Sequence, residues 1–368
     1  MSFLSEIVEK NNHFLVTLEK MYQNGNPVVL IGAGCLATKT REYMARNHLH
    51  IDYVAVNEMY FSPGQTLNEL TVVPLESLLN TNKKYNFIIA LQYVEQAFLN
   101  SLSDVQSEVL VYDPSFTGVN TEDIISYDFC QTHADALHSL YESLGDDKSR
   151  ETFIAFMNQR ISARPDYIKT VYDENHYFPT DIVALSKSEV FVDCGAYNGD
   201  SVNAFEAALA TRGLPSPKKI FAFEPDDVNY PLLCAATADK AYCECHQAGV
   251  WSEETTLYFD SGKALDSKIT EKVTTNSIAL TTLDSVIADS KVTFIKMDIE
   301  GAELSALEGA KNSIQRCYPL LAISAYHKPD DLIKIPAYIK SIMPGYRFYL
   351  RAHHPVHAFE LVLYAIPA

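Results

Sequence analysis

The segment that most constrains the fold of this 368-residue chain spans residues 190–201, where an apolar run ends in an aspartate and a loop with two glycines follows. Apolar residues at helical spacing occupy residues 202–209, so the whole segment predicts a strand, a tight turn and a helix. The glycines, Gly195 and Gly199, let the backbone turn sharply and approach a ligand closely. In an open α/β sheet, ligands bind outside the carboxyl ends of the strands, so the segment predicts one corner of a ligand site.

The residue at the end of this strand, Asp193, indicates the chemistry of the ligand. A dinucleotide fold needs room for a pyrophosphate at this point, whereas a carboxylate suits a cationic or hydroxyl-rich ligand. S-adenosylmethionine, which carries an ammonium group and a ribose, is the ligand that this acid favours. An ordinary strand–helix turn, in which Asp200 or Ser201 caps the helix, is the alternative, and the segment alone is compatible with both.

Chain length and the order of the predicted elements indicate two α/β domains. A length of 368 residues exceeds the about 150 residues that are typical of one domain. Predicted strands alternate with helices over residues 27–112 and again after residue 186, which is the pattern of parallel sheets. We therefore predict a Rossmann-like N-terminal domain over residues 1–117, a helical connector over 118–178 and a second α/β domain over 179–368.

The N-terminal domain contains a second glycine turn, Gly32-x-Gly34-x-x-Ala37, directly after a predicted strand. Such a turn is typical of dinucleotide-binding domains, but the next strand ends in Asn57-Glu58, which places a ribose-binding carboxylate only loosely. Two interpretations stay open: a site for a nucleotide, a nucleotide sugar or NAD, and a module used only in packing or association. On the first interpretation, the chain would be a nucleotide-sugar-binding protein or an NAD-dependent oxidoreductase.

Charge and cysteine content exclude several classes of partner. The net charge of −18 argues against binding to duplex nucleic acid or to an anionic membrane surface, because both need clusters of lysine and arginine. The chain has no run of ~18 apolar residues that would span a membrane, and its N-terminus lacks the pattern of a signal peptide. Seven cysteines without CxxC spacing indicate reduced thiols and a cytoplasmic location.

Residues that follow predicted strands form the candidate site. Glu224 lies one strand–helix unit after the glycine loop, where its carboxylate can accept both hydroxyls of a ribose, and Pro225 stiffens the turn after it. Beyond the next strand, Gly249 and Val250 precede the single tryptophan, Trp251, and together they offer an apolar lid for an adenine. Core packing explains Trp251 equally well.

Four motifs occur in order over the C-terminal half of the chain: Asp193-Cys-Gly-Ala-Tyr-Asn-Gly-Asp200, Phe223-Glu-Pro225, Thr282-Leu-Asp284 and Phe294-Ile-Lys-Met-Asp-Ile-Glu-Gly-Ala-Glu303. With these motifs, residues from about 175 to 368 resemble the FkbM-type family of S-adenosylmethionine-dependent methyltransferases. The resemblance implies an α/β class I methyltransferase fold, in which a doubly wound seven-stranded sheet ends in an antiparallel hairpin. It also implies transfer of a methyl group to a hydroxyl of a sugar, glycan or polyketide-like natural product.

The resemblance and the strand-end positions together define the predicted site. The predicted cofactor-binding residues are Asp193, Gly195, Ala196, Tyr197, Gly199, Asp200, Ser201, Glu224, Pro225, Gly249, Val250 and Asp298. By the resemblance, the loop that begins at Asp193 holds S-adenosylmethionine, Glu224 holds its ribose and Asp298 faces the methyl group. The expected partner is a small-molecule or glycan acceptor, and the sequence also allows a homo-oligomer.

A hydroxyl acceptor needs a base, and histidines near the strand ends are the candidates. His327 follows the strand after Asp298 and is the first candidate, with Asp298 as an orienting carboxylate or alternative base. His353, in the predicted terminal loop, comes next, although histidines there are also explained as solvated loop residues. Asp298, Glu300 and Glu303 are neighbouring acids, but Asp298 and Glu300 alternate on a turning backbone, so we predict no metal site.

Overall fold

The chain forms two compact units, each assembled from separate stretches of sequence. The larger unit comprises Met1–Ile7, Cys130–Met157 and Pro165–Ala368, and the smaller unit comprises Val8–Phe129 and Asn158–Arg164. The computed structural model describes residues 3–91, 94–113, 116, 124–164, 166–259, 269–270, 276–357 and 359–368. Residues of the predicted connector, 118–178, belong to both units.

The smaller unit is built around one sheet that is parallel except at one edge. Its described strands are Val28–Ile31 (β1), Tyr53–Val56 (β2), Thr66–Leu67 (β3), Leu70–Pro74 (β4), Tyr85–Ile89 (β5) and Gln106–Val111 (β6). Its helices include His13–Asn24 (α1), Cys35–Arg46 (α2), Leu75–Leu79 (α3) and Gln96–Ser101 (α4). The strand order is β3-β4-β2-β1-β5-β6, with β3 antiparallel to β4. This arrangement confirms the Rossmann-like α/β fold expected for the N-terminal part of the chain.

Both faces of this sheet are buried, which explains why its strands are continuous apolar runs. Val29 and Ile31 pack with Phe87 in one core cluster, whereas Leu30 packs with Ile88 in another. Since side chains alternate between the two faces of a strand, each face has its own core.

Two predicted helices are interrupted in the structure. Apolar residues at helical spacing predict one helix over residues 1–23, but that helix begins only at His13, because Asn12 caps it: its Oδ1 accepts the N–H of Leu15 at 3.3 Å. Helical spacing of apolar residues also predicts one helix over residues 129–144, and the structure divides it at His133. The helices of this region are Tyr127–Thr132 (α5), Ala134–Ser143 (α6), Asp147–Ser162 (α7) and Asp166–Lys169 (α8).

The larger unit contains the second region of alternating strands and helices. Its described strands are Val190–Cys194 (β7), Lys219–Phe223 (β8), Cys243–His246 (β9), Gly249–Val250 (β10), Thr255–Phe259 (β11), Ile269–Thr270 (β12), Asn276–Thr281 (β13), Phe294–Met297 (β14), Leu320–Ser324 (β15), Tyr346–Ala352 (β16) and Leu361–Pro367 (β17). The helices that follow β7 are Asp200–Thr211 (α9), Asn229–Ala236 (α10), Leu283–Ile287 (α11), Glu303–Glu308 (α12), Lys311–Cys317 (α13) and Asp331–Ile342 (α14).

The main sheet of the larger unit has the order β16-β17-β15-β14-β7-β8-β9 within the described residues. Strand β17 is antiparallel to both β15 and β16, which confirms the terminal antiparallel hairpin, and the other neighbours are parallel. Met297 pairs with Cys194, and Cys194 pairs with Phe223, at the carboxyl ends of three adjacent strands. The residues after these ends therefore meet at one edge of the sheet, which we call the site edge.

Aromatic packing fixes the strands beneath the site edge to helix α9. Phe191 stacks on Phe205 with ring centroids 4.3 Å apart, and Phe294 meets Phe191 edge-on at 5.5 Å. All three rings are buried, so they hold β7, β14 and α9 together.

Across the described residues, no helix combines the length and the apolar character that crossing a membrane requires.

The sequence pattern predicts one helix over residues 302–313, and the structure divides it between α12 and α13 at Gly309. A Cβ on Gly309 would lie 2.0 Å from the carbonyl oxygen of Trp251, so the absent side chain lets two backbone segments touch. The division therefore results from a contact with a distant part of the chain, and helical periodicity alone does not reveal it.

Candidate active site

The glycine loop is held in its sharp turn by backbone conformation and by a contact with the end of β14. Gly195 has φ 81° and Gly199 has φ 89°, which are left-handed conformations that side chains disfavour. A Cβ on Gly195 would lie 1.9 Å from the carbonyl oxygen of Asp298. The loop and the residue after β14 can therefore touch only because residue 195 is a glycine.

Asp193 lies inside the molecule and is fully buried. Its Oδ2 accepts a hydrogen bond from Ser201 Oγ at 2.6 Å, and its Oδ1 lies 3.1 Å from Lys296 Nζ. The sequence led us to expect direct contact between this carboxylate and a cofactor, whereas the structure places Asp193 beneath the loop. There it joins the loop, helix α9 and strand β14.

Lys296 is a residue of the site that the sequence interpretation missed. It is 2% exposed, and its ammonium group also donates to the carbonyl oxygen of Gly195 at 2.6 Å. Burial alone would lower the pKa of Lys296, but the carboxylates of Asp193 and Asp298 raise it above its usual value, so the ammonium form is retained. A lysine within the apolar strand Phe294–Met297 was the available signal, since a buried charge needs a partner.

Glu224 follows β8 at the site edge and is 6% exposed. Its Oε2 accepts the backbone N–H of Tyr197 and its Oε1 accepts that of Asp226, both at 2.9 Å. Burial raises the pKa of this carboxyl group, and the two backbone hydrogen bonds oppose the rise. The side chain is thereby fixed in position and linked to the glycine loop.

Asp298 follows β14 and is held by two tyrosines. The hydroxyl of Tyr177 donates to Oδ2 at 2.7 Å, and that of Tyr326 donates to Oδ1 at 3.3 Å. Burial alone would raise the pKa of Asp298, but the nearby Lys296 ammonium and the Tyr177 hydrogen bond lower it, so the carboxylate form is favoured.

His327 follows β15 and is enclosed by carboxylates. Its Nδ1 lies 3.1 Å from Glu303 Oε1, and its Nε2 lies 3.6 Å from Asp298 Oδ1 and 3.7 Å from Glu300 Oε2. Burial alone would lower the pKa of His327, but these carboxylates, Glu303 first among them, raise it. Glu303 begins helix α12 but is only 1% exposed, so its carboxylate is buried beside His327.

The other predicted cofactor residues lie in the loop or on the strands beside it. Ala196 donates its N–H to the carbonyl oxygen of Phe223, and Tyr197 is 51% exposed. Asp200 begins helix α9, while Gly249 approaches Pro225, since its ideal Cβ would lie 3.9 Å from that ring. Val250 and Ser201 are buried. Thus the predicted residues of the loop, Glu224, Asp298 and His327 gather at the site edge.

His353 is placed differently from the solvated or catalytic positions expected for it. It is 5% exposed, its Nδ1 pairs with the carbonyl oxygen of Asp173, and its Nε2 pairs with the hydroxyl of Tyr364, both at 2.8 Å. Between it and Asp298 lie His176 and Tyr177: the His176 ring stands 5.0 Å from that of His353 and 3.7 Å from that of Tyr177. His353 is therefore a buried structural residue behind the site edge.

Burial of His353 predicts a loss of stability in mild acid. Burial lowers its pKa from 6.5 to about 4, so the unfolded chain binds this proton more readily than the folded chain does. The contribution of His353 to the free energy of unfolding is fully present above pH 6.5 and decreases as the pH falls toward 4, by about 3 kcal/mol in total. Urea unfolding at several pH values measures this change.

A His353→Gln variant should lose part of this pH dependence, since glutamine does not titrate. His50→Gln is the matched control, because the His50 side chain is 83% exposed. Equal slopes of unfolding free energy against pH in the wild type and in His353→Gln would contradict the assignment.

The N-terminal glycine turn lies beside a cavity of about 290 Å³ at the carboxyl ends of β1 and β2. Gly32 and Gly34 line it with Asn57 and Gln65. Ala37 is fully buried. The acid that follows in the sequence, Glu58, is not among the lining residues that the structure describes, so the lining is uncharged there.

Comparison with solved structures places the fold. A crystal structure of methyltransferase FkbM from Methylobacillus flagellatus KT aligns with a TM-score of 0.75 and 24% sequence identity, over 99% of this chain and 98% of that chain. An rRNA methylase from Streptococcus thermophilus aligns with a TM-score of 0.32 and 16% identity, over 50% of this chain and 88% of that chain. Fibrillarin from Aeropyrum pernix with natively bound S-adenosyl-L-methionine aligns with a TM-score of 0.31 and 10% identity, over 49% of this chain and 67% of that chain. The first alignment shows a shared fold along nearly the whole chain.

Comparison of the sequence with protein families identifies the domain that carries the site. No curated protein matches the sequence. The family model of the methyltransferase FkbM domain matches residues 193–349, a range that includes the glycine loop, Glu224, Asp298 and His327. This match confirms the resemblance carried by the four sequence motifs. Residues 193–349 of this chain therefore match the methyltransferase FkbM domain.

Proposed function

We propose that this methyltransferase uses S-adenosylmethionine and methylates a hydroxyl of a sugar, glycan or natural product. The observation that carries the proposal is the fixed carboxylate of Glu224, which two backbone N–H groups hold at the site edge. Each carboxylate oxygen retains a lone pair that can accept a ribose hydroxyl. The FkbM domain supports methyl transfer, and the hydroxyl acceptor follows from the family resemblance.

The glycine loop fits this cofactor in shape and in charge. Because Gly195 carries no side chain, the loop lies against the end of β14 and keeps its backbone close to Asp298. Asp193, Glu224 and Asp298 bring three carboxylates to this loop. Among the described residues, the ammonium group that pairs with Asp193 is that of Lys296 alone. The excess of negative charge favours a cationic ligand over a phosphate.

Asp298 and His327 are the proposed catalytic residues. When bound, S-adenosylmethionine supplies an electrophilic methyl group on a sulfonium. The protein has to hold the acceptor oxygen in line with that group, and such alignment can supply ~7–11 kcal/mol. Asp298 Oδ1 and His327 Nε2 lie 3.6 Å apart at the site edge, so a hydroxyl bound there contacts both. His353 is not included, since both of its ring nitrogens have partners in the core.

The alternative of an NAD or nucleotide-sugar enzyme has less support. The family match begins at residue 193 and so excludes the N-terminal glycine turn. Asn57, rather than a carboxylate, lines the neighbouring cavity. A dinucleotide site normally uses an acid to bind the ribose.

Calorimetric titration with S-adenosylhomocysteine tests the proposal. We expect the wild type to bind it, and Glu224→Gln to bind at least about tenfold more weakly, because one hydrogen bond to a charged group contributes about 1.5–3 kcal/mol. Glu244→Gln is the control, since its exposed carboxylate pairs with Lys219 on the neighbouring strand. Binding of NADH or a nucleotide sugar in place of S-adenosylhomocysteine would overturn the proposal, as would equal affinities of wild type and Glu224→Gln.

A further inference from the structure

The cluster around His327 has the donor atoms of a metal site. Asp298, Glu303 and His327 come from the ends of two adjacent strands and from helix α12, and one donor atom of each lies within 4.8 Å of the others. The sequence predicted no metal because Asp298 and Glu300 alternate on a turning backbone. In the folded chain, the imidazole of His327, which follows the neighbouring strand β15, joins the carboxylates of Asp298 and Glu303 as a further donor.

Two of these donor atoms are buried without a hydrogen-bond partner among the described residues. They are Glu303 Oε2 and His327 Nε2, whereas His327 Nδ1 lies within hydrogen-bonding distance of Glu303 Oε1, at 3.1 Å. Glu303 is 1% exposed, and only its other oxygen is used, since Oε1 accepts the N–H of Ile299 at 2.9 Å. An unpaired buried carboxylate oxygen is costly, so these atoms indicate a ligand that satisfies them.

The distances from His327 Nε2 also suit a shared ion better than direct hydrogen bonds. His327 Nε2 lies 3.6 Å from Asp298 Oδ1 and 3.7 Å from Glu300 Oε2, which is too long for hydrogen bonding. Two ligands that are each ~2.1 Å from one ion lie ~3–4 Å apart. Glu300 is 93% exposed and has φ 55°, so the turn directs a further carboxylate to this point from the solvent side.

The negative charge of this cluster also favours a bound cation. Three carboxylates, those of Asp298, Glu300 and Glu303, surround one imidazole. Lys296 is paired with Asp193, and the ammonium group of Lys328 binds the carbonyl oxygen of Gly301. A divalent cation would neutralise the remaining negative charge, and a set of carboxylates with one imidazole suits a first-row ion such as Mn²⁺.

We infer that Asp298, Glu303 and His327 bind a divalent metal ion, with Glu300 as a further ligand from the solvent side. The role of the ion rests on the proposed function: beside the acceptor, it would bind the hydroxyl oxygen and lower the pKa of that hydroxyl. With the ion bound, His327 acts as a ligand in place of the base that the sequence led us to expect, and the acceptor hydroxyl meets Asp298 and His327 through the ion rather than by direct contact. The binding of the ion itself does not depend on the reaction.

Titration of chelator-treated protein with Mn²⁺ tests the inference. We expect calorimetry to show one ion per chain, and Glu303→Gln and His327→Gln to weaken binding by more than the ~10–100-fold that is typical for residues outside the ligand shell. Glu308→Gln is the control, because Glu308 is an exposed acid on the same helix as Glu303. The melting temperature of each variant without metal shows that it is folded, and Mn²⁺ should raise that temperature only in the wild type and in the control.

Two results would overturn the inference: no uptake of Mn²⁺ by the wild type, or equal uptake by Glu303→Gln, His327→Gln and Glu308→Gln. A parallel titration with S-adenosylhomocysteine separates this inference from the proposed function. Protein that binds S-adenosylhomocysteine but not Mn²⁺ contradicts the metal site alone. Protein that binds Mn²⁺ at these residues but not S-adenosylhomocysteine contradicts the proposed cofactor alone.

Discussion

Gly195→Ala is expected to weaken S-adenosylhomocysteine binding by at least about 100-fold, or about 3 kcal/mol, and to lower the melting temperature. The added Cβ would lie 1.9 Å from the carbonyl oxygen of Asp298, which is a backbone atom and cannot rotate away. Gly195 also has φ 81°, a conformation that disfavours alanine. The loop and the residue after β14 must therefore separate. Calorimetric titration and thermal unfolding measure the two effects.

Gly213→Ala is the matched control for this prediction. Gly213 also has positive φ, at 65°, but no atom lies within 4 Å of the position that its Cβ would take. The Gly213→Ala variant should therefore lose only ~1–2 kcal/mol of unfolding free energy, which is the conformational cost, and its affinity for S-adenosylhomocysteine should be unchanged. If both variants bound S-adenosylhomocysteine like the wild type, contact between the glycine loop and Asp298 would be unimportant for the cofactor site.

Lys296→Met is expected to lower the free energy of unfolding by about 3–5 kcal/mol, because it leaves the carboxylate of Asp193 buried without its cation. Asp193 is fully buried and Lys296 is 2% exposed, so water cannot replace the lost partner. Urea unfolding at neutral pH measures the loss. Removal of both charges in Asp193→Asn/Lys296→Met should recover part of it, since the costly state is the single unpaired charge.

The control for Lys296 is Lys334→Met. Lys334 pairs with Asp330 at 2.5 Å, but its side chain is 60% exposed, and ion pairs of this kind contribute ~0–1 kcal/mol. A loss in Lys296→Met no larger than in Lys334→Met would show that the buried pair does not stabilise the fold. A double variant less stable than Lys296→Met alone would contradict the explanation based on an unpaired charge.

The position of the candidate site was predictable because parallel strands end at a common edge. Gly195, Glu224 and Asp298 each follow a strand by one residue, and the register of β7, β8 and β14 brings them together. The same reasoning extends to His327, which follows β15 by a few residues. Periodicity and turn residues thus sufficed to locate the strand ends around the candidate site, whereas the sheet architecture was implied by the family resemblance.

The partners of the site residues were not predictable, because they depend on which side chains become buried. Tyr177 lies 121 residues before Asp298 in the sequence, and nothing local relates them. The role of Asp193 also differs from the expectation, since strand position does not distinguish a carboxylate that faces a cofactor from one beneath the loop. For His353, proximity to a chain turn suggested solvent, whereas contacts with Asp173 and Tyr364 bury it.

The hydroxyl of Tyr177 on Asp298 has a practical consequence for where this chain can be cut. A fragment that starts at residue 179, the predicted domain boundary, would lack both Tyr177 and His176. It would also lack Asp146, which lies 2.6 Å from the fully buried guanidinium of Arg351 in strand β16. A truncation meant to isolate the catalytic domain therefore needs to begin before residue 146, and an inactive shorter fragment would reveal nothing about the chemistry of the intact protein.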